Sequence, residues 1–121
     1  MTQKLFQEMK EAGFVIERQG KDYVTYKGLL YYCTTIGTLL ELHTELIECD
    51  WDAGRFVSKA TARLRLHSGT EINRTSYGDC TVHNTTKMIL PHALRMAGTR
   101  AKARALRDIT MIGLTAIEEI G

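Results

Sequence analysis

The residues best equipped for chemistry in this 121-residue chain are cations, and they are grouped. In TRAKARALR, Arg100, Arg104 and Arg107 recur at i, i+4 and i+7 on one flank of a prospective helix, while Arg95 and Lys102 sit on the other. No acidic i+4 partner precedes Asp108, so like-charge repulsion of about a few tenths of a kcal/mol per pair goes unrelieved within the helix. A guanidinium row of this kind suits bidentate phosphate contacts, whereas a merely solvated face mixes Glu with Lys. A second group lies in the strand-like segment RFVSKATARLRLH. Alternation puts Phe56, Ser58, Ala60, Ala62, Leu64 and Leu66 on one side, and Lys59, Arg63 and Arg65 with Arg55, Val57, Thr61 and His67 on the other. Arg63 and Arg65 would stand about 6.5–7 Å apart, close to the phosphate spacing of an extended nucleic-acid strand. The same pattern also describes the solvent face of an antiparallel sheet.

The charge distribution agrees with a polyanion partner. The net charge of +2 divides into −4 over residues 1–54, +9 over 55–107 and −3 over the last fourteen residues. A stretch this basic favours a nucleic-acid surface. Metal chemistry has little to work with, because His43, His67, His83 and His92 share no ligand spacing and Cys80 with His83 is half a site. There is no glycine-rich phosphate loop. The carboxylates Glu41, Glu45, Glu48, Asp50 and Asp52 raise the possibility of a two-metal nuclease. However, Glu41, His43, Glu45 and Ile47 share strand parity and Glu48 falls on the opposite face, so an acidic outer surface is expected, suited to the basic side of a neighbouring subunit. Tyr23, Tyr26, Tyr31, Tyr32 and Tyr77 are candidates for base stacking, although Tyr31 and Tyr32 lie in an apolar helix and are expected in the core.

These groups must be positioned by a single α+β domain spanning 1–121, since 44% apolar residues and one proline exclude disorder. Thr2 to Ala12 reads as a helix with Leu5, Phe6 and Met9 on one face, ended by Gly13. Phe14–Arg18 and Asp22–Tyr26 read as strands around a turn at Gln19–Gly20. Gly28–Ile36 reads as a buried helix stopped by Gly37. Strands follow over Leu39–Cys49, Phe56–His67 and Thr70–Gly78, the last two joined by a two-residue turn at Ser68–Gly69. Residues 79–89 read as a polar loop. Pro91 opens a helix running to about Ile112, with Leu94, Ala97, Gly98, Ala101, Ala105, Ile109 and Ile112 as its packing face. Thr115 and Glu118 resemble a capping box opening a final helix. Three widely spaced cysteines, no signal peptide and no apolar run near the length of a membrane span lead to an intracellular location: cytoplasmic, nucleoid-associated or viral.

The order of these elements resembles the Rad-fifty-two-like superfamily of single-strand DNA annealing proteins, in particular its small archaeal or phage-type members. The resemblance covers about residues 14–113, through YVTYKGLLYYCTTIG, ATARLRLHSGTEINRTSYGD and TRAKARALRDITMIG. It implies an antiparallel β-β-β-α core, a curved three-stranded sheet crossed by a long arginine-rich helix, with a short N-terminal helix and strands before it. It implies a homo-oligomer, ring or filament, that binds single-stranded DNA or RNA and anneals complementary strands in recombination or repair. Such a protein is not an enzyme and uses no metal or cofactor. Matched to the family's basic helix motif, Arg104 and Arg107 are the primary expected DNA ligands, with Lys102 and Arg100 beside them. Arg18 and Tyr23 match an arginine and a tyrosine of the family's groove, and Lys59, Arg63 and Arg65 are expected to line that groove opposite the helix. The alternatives are a plain single-strand-binding protein, a metal-dependent nuclease and a protein-assembly module.

Overall fold

The computed structural model describes residues 1–81 and 90–119. Helix α1 (Gln3–Glu11) starts where the Thr2 hydroxyl accepts from the Leu5 amide at 3.1 Å, and it buries Met9. Strands β1 (Val15–Arg18) and β2 (Lys21–Val24) form a hairpin in which both loop residues, Gln19 and Gly20, have positive φ, as a tight two-residue turn requires. Helix α2 (Tyr26–Ile36) begins at the Thr25 cap and runs straight into β3 (Gly37–Asp50). β4 (Arg55–Leu66) and β5 (Glu71–Thr81) complete an antiparallel sheet in the order β3-β4-β5. Helix α3 (Leu90–Thr110) packs on that sheet, mainly over β4 and β5. β6 (Thr115–Ala116) then joins β2 in parallel, giving a second sheet in the order β1-β2-β6, and a 3-10 turn (Ile117–Glu119) follows. The architecture is α+β, with the expected long helix on a three-stranded sheet. No helix among the described residues is long and apolar enough to cross a membrane.

Several local expectations change. Gly37 does not cap α2 through a left-handed turn, because its backbone is extended. Its role is close approach: a Cβ there would sit 2.1 Å from the Arg65 carbonyl oxygen. The β4–β5 turn is longer than two residues, the strands ending at Leu66 and resuming at Glu71. β5 continues through Thr81, past the predicted loop start at 79, and the rest of that loop, 82–89 with His83, lies outside the described residues. The expected final helix is replaced by β6 and the 3-10 turn, because Glu118 caps a different helix: its carboxylate accepts from the Tyr26 amide at 2.9 Å. Tyr32 is buried as expected, whereas Tyr31 is 39% exposed and its ring packs against Phe14.

The core explains where α3 lies. Its small residues Ala97, Ala101 and Ala105 are fully buried over the apolar side of β4, where Phe56, Ala60, Ala62 and Leu64 are also buried. At Gly78 of β5 a Cβ would meet the Ala101 amide nitrogen at 2.2 Å, so helix and strand backbones nearly touch. On its other side α3 buries Ala103 and Leu106 in the same cluster as Leu29, Tyr32 and Cys33 of α2. A helix buried on two sides leaves only a narrow strip for ligands.

Candidate nucleic-acid interface

The strand cations do not share a groove with the helix cations. α3 covers the Phe56–Leu64 side of β4, so Lys59, Arg63 and Arg65 point to the opposite face of the sheet. That face is charge-paired rather than cationic. Arg63 stands opposite Glu41 and bridges it at 3.4 Å and Glu71 at 3.2 Å, while His43 contacts Glu41 at 2.8 Å. Arg55 grips Glu48 through two contacts of 3.1 Å. Glu48 reaches this face because β3 bulges between Leu46 and Glu48, which resets the alternation and corrects the parity expected for it. Lys59 is flanked by Glu45 and Tyr77, and Arg65 by Thr38 and Glu71. Among the described residues, no three His, Cys, Asp or Glu side chains converge to hold a metal ion.

The arginine row of α3 is also partnered, and from beyond the helix. Arg100, only 3% exposed, donates to the carbonyl oxygens of Asp79 at 2.8 Å and Glu118 at 3.3 Å. Arg104 donates to the Tyr77 carbonyl at 2.9 Å and to Glu119 at 3.3 Å, and Arg107 contacts the same Glu119 oxygen at 3.0 Å. Intrahelical repulsion is thus relieved by Glu119, twelve to fifteen residues away in sequence, and by Asp79, 3.8 Å from Arg104. The β5 carbonyls that an edge strand would leave open are closed at Tyr77 and Asp79 by the same guanidiniums. Arg104 and Arg107 remain about one-third exposed, whereas Glu119 is 5% exposed.

The other flank of α3 opens into a groove of about 570 Å³ between α3 and the corner where α1, β1 and α2 meet. Ala12, Gly13 and Phe14 line it together with Thr25, Tyr26 and Lys27 at the start of α2, Thr99 of α3 and Glu118 of the 3-10 turn. Gly28 makes this corner possible, since a Cβ there would lie 2.6 Å from the Phe14 carbonyl oxygen. The Lys102 ammonium stands 5.3 Å from the Tyr26 ring centre, at the groove's edge. Burial first, then the neighbouring Cys33 and Glu118, push the Tyr26 phenol up from its ordinary value. Arg95 lies one turn before Thr99 on the same exposed strip. Among the described residues, no carboxylate forms an ion pair with Lys27, Lys102 or Arg95, and Glu118 is committed to the α2 amide.

Of the residues singled out from sequence, the structure places Lys102 at this groove, and Arg100, Arg104 and Arg107 on the opposite flank of the same helix. Arg18 is exposed at the β1 end of the hairpin, and Tyr23 is half-buried, with Lys21 over its ring at 5.4 Å. Lys27 and Thr99 were not anticipated. Lys27 had a signal: a cation in the first turn of a helix opposes the macrodipole, and α2 carries no acidic residue there to offset it. Neither a protein-family model nor a curated protein matches the chain.

Proposed function

We propose that this chain binds single-stranded DNA through its backbone phosphates and, as a homo-oligomer, promotes annealing of complementary strands. The observation that carries the reading is the groove lined by Tyr26 and Lys27, with the Lys102 ammonium over the Tyr26 ring and no carboxylate ion-paired to either lysine among the described residues. Two lysines and a phenol at one groove suit a phosphodiester, and contacts of this type leave base edges free to pair. Annealing then needs charge neutralisation and positioning, with no bond made or broken in the protein's site. The outer edge of β3, unpaired among the described residues, with Leu46 and Ile47 each 50% exposed, offers a surface for a further copy. Repetition of a short groove multiplies contacts that are weak singly.

The test uses two complementary labelled oligonucleotides with and without Mg²⁺. Acceleration of duplex formation supports annealing; inhibition marks a plain single-strand binder, cleavage a nuclease, and no effect an assembly module. Lys27→Ala with Lys102→Ala should weaken binding by roughly 1–3 kcal/mol and flatten the salt slope by about 1.4. Light scattering should give a mass several times 13.7 kDa. A monomer with and without a long oligonucleotide refutes the oligomeric annealer.

A further inference from the structure

We propose that the segment 115–119, β6 and the 3-10 turn, is a displaceable strap whose Glu119 carboxylate occupies Arg104 and Arg107 in place of a backbone phosphate, and yields when a nucleic-acid strand engages. The inference rests on the reading that the groove beside Lys27 and Lys102 takes single-stranded DNA.

The strap is held chiefly by polar clamps. β6 contributes two paired residues, the 3-10 turn buries the Glu119 side chain but no whole residue, and Ala116 alone is fully enclosed. Glu119 gives one carboxylate oxygen to both arginines and the other to the Ala116 amide at 3.0 Å, closing the strap on itself. A carboxylate oxygen shared by two guanidiniums takes the charge-assisted donors that a phosphate oxygen would take. Its neighbour Glu118 points the other way, to the groove side, and caps α2. The strap therefore separates two cationic surfaces of one helix. From Thr99 to Arg107 is about 12 Å along the axis, and because the arginine row lies on the opposite flank of α3 a strand must also pass around the helix to reach both.

Displacement follows from effective concentration. A lone phosphate competes poorly with a carboxylate already tethered over the arginines. A strand anchored at Lys27 and Lys102 presents its next phosphates at high local concentration and competes well. Short strands should then use the groove alone, and longer ones should lift the strap and join groove and arginine row into one track.

The experiment compares wild type, Glu119→Gln and the Lys27→Ala/Lys102→Ala variant by anisotropy of labelled dT4 and dT20 across NaCl concentrations. Amide hydrogen exchange at Ala116 is followed in wild type with and without dT20. Glutamine keeps the size and an acceptor for the Ala116 amide but removes the charge. The expected result is dT20 binding about three- to tenfold tighter in Glu119→Gln, with a steeper salt slope, little change for dT4, and faster Ala116 exchange when wild type binds dT20. Unchanged dT20 affinity and slope, or undiminished Ala116 protection in the complex, overturns the strap; if the lysine variant is weakened in that same case, the groove reading survives alone. The exchange measurement on wild type decides the matter should Glu119→Gln fold poorly. Absence of dT20 binding in every protein overturns both.

Discussion

Gly78→Ala tests the contact that aims α3, and with it the groove and the arginine row. The added Cβ would stand 2.2 Å from the Ala101 nitrogen, 2.5 Å from the Ala97 oxygen and 2.7 Å from the Arg100 carbonyl carbon. All three are backbone atoms, so no side chain can turn aside. Restoring an ordinary contact requires α3 and β5 to separate by about 1.2 Å. That separation stretches the 2.8 Å Arg100–Asp79 and 2.9 Å Arg104–Tyr77 hydrogen bonds past useful range. Overpacking costs about 1–3 kcal/mol, and the buried Arg100 bond adds roughly 1.5–2, with Arg104 discounted for its exposure. The sum, roughly 3–5 kcal/mol, should lower Tm by about 10–20 °C in a domain of this size. Gly98→Ala on the same helix is the control, since its Cβ meets nothing within 4 Å. Helix propensity there should raise stability by about 0.5–1 kcal/mol. Circular-dichroism melts and urea titrations of both variants give the answer. A Gly78→Ala melt within 3 °C of wild type refutes the close approach and the placement of α3 that depends on it.

Two further outcomes are expected. Arg63→Glu would put a third carboxylate between Glu41 and Glu71 on an exposed sheet face, lowering stability by roughly 1 kcal/mol without altering single-strand affinity; a large loss of binding in a folded variant would restore the strand face to the interface. Burial pushes the Cys33 thiol up to about 11, so its contribution to stability is complete below pH 9, where the unfolded thiol is still protonated, and fades as pH rises toward 11. The stability advantage of wild type over Cys33→Ala should narrow by up to roughly 2 kcal/mol across that window in urea titrations, and a constant difference would contradict it.

The amino-acid sequence carried the elements whose cause is local. Alternation in RFVSKATARLRLH set which β4 residues face the core, the Gln19–Gly20 pair set the first hairpin, and small residues at helical spacing marked Ala97, Ala101 and Ala105 as a packing face. It also marked Lys102 as a candidate ligand. Which cations share a surface depended on packing between distant elements, because periodicity reports that a face is apolar but not which element covers it. Arg104 and Arg107 looked unneutralised because Glu119 lies beyond the end of the helix and arrives only when β6 pairs with β2. Glu48 changed sides because one extra residue in β3 resets a period of two, and no residue type announces a bulge there. The groove has the same origin: Lys102 is seventy-five residues beyond Lys27, and it reaches the Tyr26 ring that lines the groove only because α3 packs against α2.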